Sequence, residues 1–292
     1  MCILYIIWYT ICIPIIYIQI NIPMKRLIIL SFILLTITSF AFESQAPQST
    51  FSAYGPKEAL LYKLHYGFIN AGEARIEVDP TLYLINNKVC YKTAVIGTTT
   101  GTFDLAMHVR DQWTSYIDTT SKTPQRSLRD IEEGNYRLKE MVMFDYANKK
   151  ANVIRESGKT LDRSTADYTI SHNIQDIVSG AYYLRTLDYS KMAVGTNINL
   201  KAFFEDKLFD FTVRYAGKDR VKTIHGYINA IKIQPVMPDN EMFDGGNSIR
   251  MWLSDDANKI PVKIEADMFV GKVEVELKKF SGLKHPIVFT KK

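Results

Sequence analysis

The chain has 292 residues, 47% of them hydrophobic and 23% charged, an ordinary globular composition, and its 36 bases against 31 acids leave a formal charge of +5. That balance is too weak, and Lys and Arg too scattered, for a phosphate-tracking surface, so no nucleic-acid partner is expected. At about 150 residues per domain the length allows one or two domains, and all-β folds often pass 200 residues as one.

Residues 1–42 carry only two charges, Lys25 and Arg26. The stretch "MKRLIILSFILLTITSFAF" (24–42) runs from a methionine through a short basic segment and an apolar core to small residues. This is the layout of a secretory signal peptide, expected at 24–41 with cleavage near Ala41. Residues 1–23 approach the roughly 20 apolar residues a bilayer span needs, but Pro14 and Pro23 interrupt them. They are read as an upstream extension or a misassigned start. The expected location is periplasmic or secreted. Cys2 and Cys12 go with the leader, leaving Cys90, so the exported part is expected to lack a disulfide and to be held by its core. The cleavage site has no cysteine for lipid anchoring, and the mature chain is expected not to span the membrane.

Residues 42–57, small and polar with two prolines, are expected to be a flexible lead-in. The strands follow at once. In "EALLYKLHYGFIN" one face carries Leu60, Tyr62, Leu64, Tyr66 and Phe68, the period of a half-buried strand. The chain turns at Asn70-Ala71-Gly72, and Ala74, Ile76 and Val78 resume the alternation. Asn86-Asn87 divides two β-rich runs as a hairpin turn, since Asn tolerates positive φ. Similar runs follow at 104–118, 137–145, 151–155, 196–204, 208–216, 220–235, 249–254, 260–269 and 271–280.

One segment breaks the period. Ile174, Ile177, Val178, Ala181 and Leu184 recur at spacings of three and four, predicting a helix over 173–187. Asn173 is the expected N-cap, with Asp176 supporting it and Arg185 suiting the opposite end of the dipole. The architecture expected is mainly β: a single curved antiparallel sheet or half-open β-barrel of about ten to twelve strands with one central helix. One domain is placed at 58–283, with a tail at 284–292.

Three stretches in this order, "YKLHYGFINAGEARIEV" (62–78), "DIVSGAYYLR" (176–185) and "GYINAIKIQPV…MWLSDDANKIPVKIEADMFVGKVEVEL" (226–277), resemble the bacterial exported family catalogued as domain of unknown function 3108. The resemblance covers roughly 58–280 and implies an envelope protein of Gram-negative bacteria, with no established activity, cofactor or catalytic residue. The hairpin from Trp252 to Pro261 also resembles one in periplasmic lipoprotein carriers of the Lol type, which hold acyl chains in a half-barrel under a helical lid.

Asp255 and Asp256 are the adjacent carboxylates most suggestive of an acid/base pair. Neighbours in an extended segment point to opposite faces, whereas a working pair must converge. Asp and Asn also initiate turns, and Pro261 suits a strand beginning. The pair is therefore read as a hairpin tip, with Trp252 at the end of the strand before it. His65, His108, His172, His225 and His285 match no zinc spacing, and His65 is expected to face solvent. Ser179-Gly180 lies inside the predicted helix, away from any nucleophile elbow, with Ser179 read as a packing residue and Cys90 as an unpaired strand thiol. No catalytic residue, metal site or cofactor is expected.

The positive hint is the ring content, 17 Tyr, 15 Phe and 3 Trp. Sheets bury such rings across strands. The functional alternative is an apolar cavity lined by rings, with Tyr182, Tyr183, Phe203 and Phe204 as candidate ligand contacts. The function expected is a non-enzymatic binding or carrier protein for an apolar, acyl or lipid ligand. The alternatives are a subunit bound to an envelope protein, and an envelope-polymer hydrolase in which Asp176, Arg185, His65 or His108 would have to converge.

Overall fold

The computed structural model describes residues 52–158, 160–236, 248–268 and 271–291. The expected signal peptide, residues 1–23 and the first part of the lead-in lie outside the described residues.

The first half of the chain forms β1 (Ala59–Tyr66), β2 (Ile69–Ile85), β3 (Lys88–Thr99), the short helix α1 (Gly101–Ala106), β4 (Arg110–Asp118), β5 (Pro124–Glu133), β6 (Tyr136–Asp145), β7 (Lys150–Ser157) and β8 (Asp162–Thr169). Then come β9 (Ile174–Gln175), α2 (Ile177–Arg185) and a 3-10 turn (Tyr189–Lys191). The second half forms β10 (Asn197–Phe204), β11 (Lys207–Thr223), β12 (Gly226–Pro235), β13 (Ile249–Ser254), β14 (Pro261–Asp267) and β15 (Lys272–Ser281).

All fifteen strands belong to one sheet, in the order β8-β7-β6-β5-β4-β3-β2-β1-β15-β14-β13-β12-β11-β10-β9. Neighbours are antiparallel except β9 and β10, which run parallel. The chain begins in the middle of the sheet, at β1, and its two halves extend outward from β1 and β15. The two halves curl toward each other, with Trp113 and Val95 sharing a core cluster with Ala202 and Ile249, and the end strands β8 and β9 share no ladder, which leaves an open barrel with a seam.

Period-2 alternation explains the wall. Leu60, Tyr62 and Leu64 of β1 are buried while Lys63 between them is not, and Asp111, Trp113, Ser115 and Ile117 of β4 lie on the inward face. The β2–β3 turn has Asn86 and Asn87 at φ 50° and 57°, a two-residue turn of the type whose twist matches the strands. Gly72 has a packing reason: a Cβ there would lie 2.4 Å from the Thr98 carbonyl oxygen on β3. Beyond Tyr215 the chain bulges, and Gly217 takes φ 98° there.

Several expectations are corrected. Among the described residues the sheet has fifteen strands instead of ten to twelve, and there are two α-helices instead of one, α1 standing where a strand was expected from 104. β8, "DRSTADYT", is exposed along nearly its whole length and carries no apolar alternation. β5 turns Gln125 and Arg129 inward beside Ile131, so its buried face is not apolar. Phe68 is 97% exposed because β1 ends at Tyr66 and Phe68 lies in the turn after it. His65 is half-buried, short of fully solvent-facing.

The described segments flanking the sheet are anchored as well. Ala53 and Tyr54, inside the expected flexible lead-in, are buried. Residues 284–291, expected as a tail, form a strap: the Asn258 amide donates to the His285 carbonyl at 2.9 Å, and Thr290 bridges to Tyr227. The strap starts where Gly282, at φ 64°, passes so close that a Cβ would lie 2.0 Å from the Lys57 carbonyl oxygen.

Because the strands alternate in direction, their turns fall at two ends. The β1–β2, β5–β6, β7–β8, β10–β11 and β14–β15 turns share one end with α1. The β2–β3, β4–β5, β6–β7, β11–β12 and β13–β14 turns share the other with Glu58 and the strap. The helix α2 lies inside the curl, against β3, β4 and β10.

Candidate functional site

The placement of α2 starts with its cap. Asp176, and not Asn173, is the N-cap: its Oδ1 accepts from the Ser179 backbone N–H at 2.7 Å, and the Ser179 hydroxyl accepts from the Asp176 N–H at 2.9 Å. Asn173 instead sits at φ 60° in the turn before β9. Ile174 and Gln175 are drawn into the sheet by pairing with Lys201 and Ala202, which postpones the helix by three residues. Ser179 is therefore half of a capping box rather than a mere small packing residue. The second Asp176 oxygen accepts from the Ser115 hydroxyl on β4 at 2.6 Å. Burial pushes the Asp176 carboxyl up to about 6, and these hydrogen bonds oppose the shift.

The other end of α2 is tied by Arg185, which is 1% exposed. Its guanidinium donates twice to Glu58, at 2.7 Å each, and Nε donates to the Asn258 carbonyl at 3.1 Å. The Tyr182 hydroxyl donates to the same Glu58 at 2.9 Å, and Arg185 lies 4.7 Å from the Tyr182 ring and 5.4 Å from that of Tyr54. A bidentate, fully hydrogen-bonded pair of this kind fixes orientation. It holds the helix, the chain entering β1 and the β13–β14 hairpin in one arrangement.

Between α2 and the wall lies an apolar cavity of about 180 Å³. Its lining comes from both halves of the sheet: Leu64, Ile76, Val95, Leu200, Phe211, Val213, Ile233, Ile249, Ile264 and Val275 among the strands, and Ile177, Val178, Ala181, Tyr182 and Leu184 from the helix. Gln175 and Asp176 supply polar atoms at one edge. Ala181, in the middle of α2, is exposed although it lines the cavity, so the space communicates with solvent.

The four candidate ligand contacts do not act together. Tyr182 lines this cavity, while its hydroxyl is engaged by Glu58. Tyr183 packs with Leu184, Tyr189 and Leu200 in a separate cluster. Phe203 and Phe204 are consecutive strand residues and diverge: Phe203 packs on Phe144 and Tyr168, and Phe204 stacks on Trp113 at 5.7 Å. The aliphatic residues that do line the space were missed, since their separate periodic patterns cannot say which strands face one another.

Asp255 and Asp256 lie in the bend joining β13 to β14. Asp256 Oδ1 accepts from the Ser254 hydroxyl and from the backbone N–H groups of Asn258 and Lys259, at 2.8–3.0 Å. Asp255 pairs outward with Lys218 at 2.8 Å. Pro261 opens β14, and its carbonyl accepts from the Tyr62 hydroxyl at 2.9 Å. Trp252 donates its indole N–H to Asp219 at 2.9 Å. The groups a hydrolase would need are spread out: Asp176 and Arg185 have separate partners, and His108 stands 3.3 Å from Asp104 at the end carrying α1. Burial holds the Cys90 thiol at about 11, unreactive at neutral pH. Among the described residues no group of three or more His, Cys, Asp or Glu could hold a metal ion.

A wider concavity of about 950 Å³ opens at the end carrying the β2–β3, β4–β5 and β6–β7 turns. Its polar groups are committed to shaping those turns: the Asn86 amide donates to the Phe144 carbonyl, Asp118 accepts from Thr120 and Ser121, and Asp145 accepts from Asn148. The apolar cavity is the better site for an apolar ligand, because its walls are mainly aliphatic and it opens to solvent beside Ala181.

An open antiparallel barrel with a helix inside defines the molecule as β-barrel-like. The family described as "Protein of unknown function (DUF3108)" matches residues 61–278, and the chain belongs to that family. The fold is similar to the crystal structure of a β-barrel-like protein of domain of unknown function DUF1849 from Brucella abortus. That likeness has 15% sequence identity and a TM-score of 0.52, over 77% of this chain and 97% of the other. At that identity it bears on the fold alone. A search of curated proteins gave no match. Neither the family match nor the structural match shows the expected likeness to Lol-type carriers.

Proposed function

We propose that the protein is a non-enzymatic binding or carrier protein, exported through the leader at 24–41, that takes an apolar or acyl ligand into the cavity between α2 and the barrel wall. The observation that carries this is the cavity itself, about 180 Å³ with aliphatic walls and solvent access beside Ala181. Cavities of roughly 150 Å³ lined by Leu, Ile and Phe stay dry and bind small apolar molecules. A space of this size accommodates a ring or a short run of methylenes, so a longer acyl chain would be held in part.

A second reading, a subunit docked on an envelope protein, is favoured by Phe68 and Leu105, 97% and 89% exposed at the same end of the barrel. Native mass spectrometry on the exported protein, with organic extraction of the same sample, separates the two. An extra mass that extraction removes and that matches an apolar species supports the carrier. A clean apoprotein mass, with nothing in the extract above control, rejects it and favours the docked subunit.

A further inference from the structure

We propose that the β10–β11 turn, Glu205-Asp206, is a latch that keeps the barrel seam shut, and that the seam is a second door to the cavity besides the opening at Ala181. The second half of this proposal rests on the carrier function above.

The seam differs from the rest of the wall. Everywhere else adjoining strands are joined by backbone ladders, while β8 and β9 share none. Side chains make the crossing instead. The Phe203 ring of β10 lies 5.6 Å from that of Tyr168 on β8, while the Gln175 amide of β9 donates to the Lys122 carbonyl in the β4–β5 turn at 3.2 Å. Toward the α1 end the crossing is ionic. Arg155 of β7 donates to both oxygens of Asp206, at 2.9 and 3.0 Å, and Arg129 of β5 lies 3.7 Å from Glu205. Both arginines also bond Glu140 of β6, so three strands present one network to the turn.

The turn is built for this contact at the expense of its own geometry. Glu205 and Asp206 have φ 45° and 66°, and Phe204 pairs directly with Lys207. Such a two-residue turn prefers Asn-Gly, and the β2–β3 turn uses Asn86-Asn87. A glutamate in the left-handed region is a poor choice for the backbone alone. What it supplies is a carboxylate aimed across the seam.

Behind the latch, Arg129 lies 5.1 Å from the Trp113 ring and 4.7 Å from the Phe204 ring. Next to them is a void of about 20 Å³ bordered by Asp176, Ile177 and Val178 of the helix region. The same three residues border the main cavity. Lifting the turn, with Phe204 attached, would join the void to the cavity along α2. Partly exposed ion pairs yield more readily than a strand ladder, because salt screens them and water replaces them. Arg155 and Asp206 are 26% and 27% exposed. Local opening concentrates where such contacts replace backbone bonding.

The test is the double variant E205N/D206G, which installs the preferred turn pair and so keeps the hairpin while deleting both carboxylates. Amide hydrogen exchange in β8, β9 and β10 should rise by about tenfold, the scale of one lost charge-assisted contact. Exchange in β1, β14 and β15 should not change. Salt at about 1 M, where the screening length is about 3 Å, should bring the wild type toward the variant and leave the variant unmoved. Binding of fluorobenzene, a one-ring apolar probe that fits the space and is followed by fluorine NMR, should speed up in both directions at unchanged Kd. Unchanged exchange, or a uniform rise over all strands, overturns the latch. Faster seam exchange with unaltered probe kinetics overturns the door. If the wild type does not bind the probe, the carrier function fails and the door with it, while the exchange result still decides the latch.

Discussion

Asp176 and Arg185 carry more architecture than their neighbours because each is a buried polar group with assigned partners. Folding raises the Asp176 carboxyl from 3.8 to about 6, so the folded chain binds this proton more tightly than the unfolded one. The stability it contributes is fully present below the unfolded value and is lost as pH rises through about 6, a swing of roughly 3 kcal/mol. Asp176→Asn keeps an N-cap acceptor without the charge. Its stability, measured by urea titration, is expected to be flat where the wild type declines between pH 4 and 7, and higher at pH 7.5. Parallel curves for the two proteins would reject that assignment. Asp176→Ala, lacking the cap, should fall about 1 kcal/mol below Asn at every pH.

Arg185 invites the opposite experiment. Arg185→Met strands the Glu58 carboxylate in the interior and is expected to cost about 3–5 kcal/mol. Adding Glu58→Gln removes the orphan charge while keeping an acceptor for the Tyr182 hydroxyl, and should recover most of the loss. A double variant no more stable than the single one would mean that Arg185 acts through its packing against Tyr54 and Tyr182 instead.

At the scale of elements, the wall and the helix face each other across a space that larger side chains could fill. Ala202 of β10 is buried and borders the cavity. Ala202→Leu is expected to weaken binding of an apolar fluorophore by tenfold or more while changing stability by less than about 1.5 kcal/mol, since the added methylenes enter empty space. Unchanged binding would place the fluorophore elsewhere.

The elements also show where the sequence was legible. β1 alternates cleanly between a dry and a wetter face, and the β2–β3 hairpin was readable from the turn chemistry of Asn86-Asn87, although Leu84 beside it is 69% exposed. β8 was not, since both its faces are wet. The helix was recognised from its spacing but begun too early. Ile174 fits the helical period, yet its pairing opposite Lys201 holds it in the sheet. Of the candidate ligand contacts only Tyr182 borders the cavity, because Tyr183, Phe203 and Phe204 are taken up by other clusters, whose partners come from distant strands.

For the molecule as a whole, one sheet with shared clusters should unfold as one unit. The cluster around α2 draws Val78, Val95 and Trp113 from one half of the chain and Ala202, Ile249 and Ala266 from the other. Calorimetry is therefore expected to give a single transition with calorimetric and van't Hoff enthalpies equal. Two separated transitions would mean that the halves on either side of β1 and β15 fold independently.

The sequence by itself determined the class of the molecule: predominantly β, with the central helix, a hairpin tip at Asp255-Asp256 and membership of a recognisable family, while the short α1 went unread. The elements rest on periodicity and turn chemistry, which are local and therefore written in consecutive residues, and the family rests on its match over residues 61–278. Only the tertiary structure decided that β1 pairs with β15, that Glu58 meets Arg185 127 residues later, and that the two sheet ends stop short of a ladder. Strand order and closure depend on which distant segments meet, and alternation looks the same whichever strand lies alongside. The cavity belongs to that second category, because it exists only where the two halves curl around the helix.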